Sequence, residues 1–302
     1  MKEKPKKEKS HSKWKQMKTA VGIEIREHKS SFAVYVILRA LVLLVLVRQA
    51  FMHNYESVFF CLLTIVLMYL PSLIQVRLRI ELPTTLEIII LCFIFAAEIL
   101  GEIKAFYTRV PGWDTMLHTL NGFLCAAIGF SLVVLLNDND KLTFDLSPLF
   151  MAVVAFCFSM TIGVLWEFFE CGMDMLFHSD MQKDTIVNAI YTVALDPTRS
   201  NKVVPITGIT DVVVNGQALG LGGYLDIGLL DTMKDLFVNF IGAVVFSVIG
   251  FFYVKTRGQG RMARRFIPSR KDDDKDYLKA IQDADSAPDT PDSDSPPAKS
   301  TE

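Results

Sequence analysis

Acidic residues and histidines recur inside or beside apolar runs of this chain, at spacings that align them on helix faces. Asp114 and His118 stand at i and i+4 in WDTMLH; Glu167, Glu170, Asp174 and His178 step by three, four and four in WEFFECGMDMLFH. Asp231, Asp235 and Asn239 step by four in DTMKDLFVN, and Glu98 and Glu102 make a fourth pair. Several carboxylates with imidazole, and no cysteine among them, suit a divalent metal cation such as Mg²⁺, Mn²⁺ or Zn²⁺. The expected metal ligands are Asp114, His118, Glu167, Glu170 and Asp235, and the expected catalytic groups are Glu167, Asp235 and His118. Close carboxylates can also share a proton, which places an acid beside a base near neutral pH.

Each group also has a plainer reading. Asp114 and Asp231 begin helices and favour the positive dipole end. Glu98, Glu102 and His178 suit solvated interfacial positions, and Trp113 and Trp166 suit interfacial anchors. Arg39 and Arg48 either snorkel or neutralise the acids. Glu167 and Asp235 lie deepest in the apolar band, where an ionisable group is costly and faces a bundle interior or a wet cavity.

The elements that must position these groups are membrane spans. The chain is 51% hydrophobic although its last stretch is almost wholly polar, so the apolar residues are concentrated in runs of about 18 to 25 residues, the length that crosses a bilayer. Six runs are expected to span, at about residues 31–51, 55–73, 86–103, 113–136, 149–177 and 230–253, giving an all-α polytopic bundle. The five cysteines fall inside these runs with no CxxC pair, so they read as small membrane-buried residues.

Lys and Arg set the orientation. Residues 1–30 carry ten of them, Arg77 and Arg79 follow the second span, Lys141 follows the fourth, and Lys255, Arg257, Arg261, Arg264 and Arg265 follow the sixth. With six spans these fall on one side, so both termini are expected in the cytoplasm. The organisation is then a basic N-terminal segment (1–30), retained rather than cleaved, a bundle (31–254) and a cytoplasmic tail (255–302), disordered from about Lys271. The outer loop 178–229 is too long for a simple connector. Asn215-Gly216 after DVVV predicts a small β-hairpin with a type I′ turn within it. The loop reads as a lid or cap over the outer face.

The order WD-x-x-x-H with a following NG, then WE-x-x-E, then DT-x-x-D-x-x-x-N-x-x-GA resembles the YjdF-type family of bacterial integral membrane proteins, and is distantly similar to the VanZ-like proteins. The matching residues are Trp113, Asp114 and His118; Trp166, Glu167 and Glu170; and Asp231, Thr232, Asp235, Asn239, Gly242 and Ala243. The resemblance implies a bacterial plasma membrane protein connected with the cell envelope. It does not supply an activity.

Three functions stay open. A cation-dependent enzyme could act on an envelope or lipid-linked substrate, although neither a GxSxG nor a phosphatase-like motif is present. A transporter could use the acids as a proton or cation path, although the acids crowd one side and no repeat is visible. A structural or partner-binding protein would use them to fix the bundle. Expected partners are the lipid bilayer and anionic lipid at the basic N-terminus; nucleic acid is not expected.

Overall fold

A computed structural model of the chain describes residues 13–137, 146–257 and 263–286. In chain order the helices are α1 (Lys13–Glu27), α2 (Lys29–Phe51), α3 (Tyr55–Leu67), α4 (Leu70–Leu78), α5 (Thr84–Phe95), α6 (Phe106–Arg109), α7 (Trp113–Asn137), α8 (Pro148–Phe177), α9 (Leu229–Lys255) and α10 (Tyr277–Ser286). The strands are short: β1 (Ile80–Glu81), β2 (Ile186–Val187), β3 (Ala189–Thr192), β4 (Val204–Thr207), β5 (Val213–Val214), β6 (Gln217–Ala218), β7 (Tyr224–Leu225) and β8 (Ser269–Arg270).

Local chemistry fixes where these helices begin. The Asn54 side chain accepts the Ser57 amide at 3.1 Å to cap α3, and Ser147 accepts the Phe150 amide at 3.2 Å ahead of Pro148, which suits the first turn of α8. Among the described residues five helical stretches are long and apolar enough to cross a membrane: Lys29–Phe51, Tyr55–Leu78, Trp113–Val134, Pro148–Phe177 and Leu229–Lys255. They present large apolar side chains outward, Leu44, Phe59, Phe168 and Phe237 among them, as a lipid-facing surface does.

Two spans depart from simple α-helix. The second is interrupted at Met68 and Tyr69, just before Pro71, which has no amide hydrogen to continue the helical ladder. The third, expected over 86–103, is α5 running on into a π-helical stretch, Ala96–Ile103. Neither piece alone is long enough to cross.

The chain divides into two compact units. The first comprises the described residues up to Ile94 and from Pro268 onward. In it α1 packs on α4 and α10, and β1 pairs antiparallel with β8, Ile80 opposite Arg270. The segment from Lys271 to Ser286, expected to be disordered, contributes α10 to this unit. Lys271 is buried and meets the carboxylate of Glu24, the Tyr277 hydroxyl donates to Glu27, Arg79 pairs with Asp276 at 3.2 Å, and Lys275 pairs with Glu81 at 2.9 Å. These contacts join residues about 200 to 250 positions apart, beyond the reach of a composition argument. The remaining expected tail, the segment 1–12 and Lys141 and Arg261 lie outside the described residues.

The second unit, Phe95–Ile267, is organised around α7, α8 and α9. At one end Phe130 and Phe246 are fully buried among Ala126, Ala127, Ala155 and Ala243, with Phe123 edge-on to Phe246 at 5.1 Å. Glycines let the backbones close in. A Cβ at Gly122 would stand 2.1 Å from the Asn239 carbonyl oxygen, and one at Gly242 would stand 2.0 Å from that of Thr119. This is the close approach that small residues allow between membrane helices.

The 178–229 loop folds as nested antiparallel pairs, β2 with β7, β3 with β4 and β5 with β6. The expected hairpin is present: Val214 faces Gln217 across Asn215 and Gly216, whose φ values of 52° and 79° are those of a type I′ turn. The Asn188 side chain donates to the carbonyls of Ile209 and Gly222 and ties the inner strands together.

Candidate functional site

The site occupies the opposite end of the α7, α8 and α9 assembly from the aromatic core. Helical periodicity carries Asp114 and His118 from α7, Glu167 and Glu170 from α8, and Asp231, Asp235 and Asn239 from α9 to the interior. His118 sits at the centre. Its Nε2 lies 3.4 Å from Asp114 Oδ1 and 3.9 Å from Asp235 Oδ2, while Nδ1 faces Glu167 Oε1 at 3.8 Å. Asp235 is 1% exposed and Glu167 4%.

All five expected metal ligands converge, in two overlapping sets. Asp114, His118 and Asp235 form one, and His118, Glu167 and Glu170 the other; within each set, one donor atom per residue lies within 4.8 Å of the rest. Two buried carboxylate oxygens, Glu167 Oε2 and Asp235 Oδ1, have no hydrogen-bond partner, and of the two only Asp235 Oδ1 has a cation near it, the Lys234 ammonium at 3.5 Å. A buried acceptor in that state costs about 1 to 3 kcal/mol, more if charged.

Around this centre other groups are tightly held. The Trp166 indole donates to Glu170 Oε1 at 2.7 Å, so this tryptophan is tied to the site. The Trp113 ring packs edge-on against Phe106 at 4.9 Å. Asn239 lies between helices: its Oδ1 accepts from Asn121 Nδ2 at 3.3 Å, and its amide fills the space that a Cβ on Gly163 would take.

Some expected members stand apart. Asp174 lies at the end of α8, where its carboxylate accepts the Ser179 hydroxyl and the amides of Met181 and Gln182, fastening the start of the loop. His178 is the exposed, left-handed residue that ends α8, with φ 56°. Glu98 and Glu102 lie on the π-helical stretch, whose wider turn moves side chains off the α-helical face, and they belong to neither donor set.

Lys234 was absent from the expected site. Its ammonium lies 2.9 Å from Asp231, 3.4 Å from Asp114 and 3.5 Å from Asp235, as a half-exposed counterion at the rim. The signal in the sequence was its place three residues after Asp231 and next to Asp235. The loop also reaches this rim, with the Lys183 amide donating to Asp231 at 2.8 Å and the Gln182 side chain to the Thr232 hydroxyl.

Comparison with known proteins agrees with the membrane architecture. The model of a family described as predicted membrane protein (DUF2238) matches residues 34–256. The chain belongs to this family. No curated protein and no solved structure matches it.

Proposed function

We propose that this DUF2238 member is a cation-dependent enzyme of the bacterial plasma membrane that acts on a lipid-linked envelope substrate. The observation that carries the reading is the convergence of Asp114, Glu167, Glu170 and Asp235 on His118, with Glu167 Oε2 buried and without a hydrogen-bond partner. Five carboxylates share the site with one ammonium and one imidazole, so it lacks positive charge, and a divalent cation would supply it while occupying the idle Glu167 Oε2. Carboxylate oxygens with one imidazole fit Mg²⁺, Mn²⁺ or Zn²⁺. Such an ion would polarise a phosphoryl or carbonyl oxygen and activate water.

In this reading Asp114, His118, Glu167, Glu170 and Asp235 hold the ion, and Glu167, Asp235 or His118 moves the proton. The bias of Lys and Arg toward the termini and the 77–79 segment supports cytoplasmic ends, with the site on the outer face. Kinship with the YjdF-type and VanZ-like proteins draws support from the convergence of all three motif elements on this one site.

One observation favours a second reading. Lys234 already contacts three aspartates, which suits a fixed interhelical network that only holds the bundle together.

Elemental analysis of detergent-purified protein separates the two, with wild type compared to Asp114→Asn, His118→Ala and Glu167→Gln. Stoichiometric metal that is lost in the variants supports the enzyme. If the wild type contains no metal and gains no thermal stability from Zn²⁺, Mn²⁺ or Mg²⁺, the network reading replaces it.

A further inference from the structure

We infer that the exposed face of α1 is a binding surface for anionic phospholipid headgroups. Only His28, in extended conformation, separates the end of α1 from the start of α2, which crosses the membrane. The basic helix therefore begins at the bilayer surface.

Its two faces are committed differently. Ala20, Val21, Glu24 and Ile25 are buried in the first unit. The opposite face carries Lys15, Ile23 and Arg26, with Lys18 at its edge, and Trp14, in the first turn ahead of the packed residues, is 77% exposed. Cations and apolar side chains sharing one face are what an interfacial helix presents to headgroups and the upper acyl chains. A shallow hollow of about 440 Å³ lies on this face between Thr19, Ile23, Arg26 and Glu27, where Gly22 leaves open space.

The tail sharpens the charge. The two acids of α1 are Glu24 and Glu27; Lys271 meets the first and the Tyr277 hydroxyl donates to the second. Asp285 of the tail comes close at one point, accepting from Gln16 at 2.7 Å. Among the described residues Lys15, Lys18 and Arg26 have no ion-pair partner, so the face carries three cations against one acid of its own helix, Glu27. An anionic membrane attracts each such cation with about a fivefold preference.

The test uses the full chain reconstituted in vesicles of phosphatidylcholine containing a minor fraction of phosphatidylglycerol, with bromine on the chains of one lipid or the other. The difference between wild type and Trp14→Phe isolates the emission of Trp14. The expected result is several-fold stronger quenching of Trp14, per brominated lipid, when the bromine is on phosphatidylglycerol. The preference should be lost in a Lys15→Glu, Lys18→Glu, Arg26→Glu variant, and should shrink in molar salt, where screening acts within about 3 Å. Equal quenching by both lipids would overturn the inference and leave Trp14 as an anchor without headgroup choice. No quenching by either would overturn it by placing the helix away from the bilayer.

Discussion

Gly242→Ala tests whether α7 and α9 are held at the distance the site requires. The added methyl would lie 2.0 Å from the Thr119 carbonyl oxygen, 2.8 Å from the Phe123 amide nitrogen and 3.0 Å from the Thr119 carbonyl carbon. All three are backbone atoms, so no side chain can swing aside. An ordinary C···O contact is about 3.3 Å, so the helices must separate locally by about 1.3 Å. A gap of that size forfeits much of the dispersion energy along the seam, and overpacking of this kind costs about 1 to 3 kcal/mol or more. Thermal unfolding in detergent should show a midpoint lower by roughly 3 to 10 °C. Gly172→Ala is the control, because nothing lies within 4 Å of its Cβ position; there the better helix propensity of Ala should leave stability equal or slightly higher. Gly122→Ala meets the same seam from the other side, at 2.1 Å from the Asn239 carbonyl. The double variant should therefore cost less than the sum of the two, since one separation accommodates both methyls. If Gly242→Ala melts with the wild type, the backbones do not meet there and this packing is wrong.

Three further outcomes follow from the same geometry. Lys271→Met should destabilise the protein by about 3 to 5 kcal/mol in chemical unfolding, because Glu24 would remain buried without its counterion, whereas removing both charges together should cost much less. Lys234→Met should tighten divalent cation binding by about tenfold or more in calorimetric titration, since a competing ammonium within 3.5 Å of Asp114, Asp231 and Asp235 is removed; weaker binding would refute the cation site. Asp226 is pushed up by partial burial, but the amides of Thr185, Leu230 and Gly228 outweigh this and hold its carboxyl below the ordinary range. Its clamp on the loop and on the start of α9 is then complete above the ordinary value of about 3.9 and is lost as pH falls through the depressed one. Hydrogen exchange at Thr185 and Leu230, corrected for the intrinsic rate, should lose protection only in strong acid and should be unprotected at neutral pH in Asp226→Ala.

Sequence alone determined what depends on near neighbours in the chain. The helix starts at Asn54 and Ser147, the apolar length of the spans and the Asn215-Gly216 turn are all local, and periodicity sufficed to put Asp114 with His118 and Glu167 with Glu170 on common faces. Periodicity fixes an angle about one helix axis; it does not fix that helix's height or rotation against its neighbours. Those were decided by where backbones can touch, at Gly122 and Gly242, and this is why Glu170 joins His118 while Asp174, one turn further on, fastens the loop instead. Only the tertiary structure seated Lys234 among three aspartates and folded the tail back to meet Glu24 through Lys271, because a charge finds its partner across space and the sequence between them carries no record of that distance.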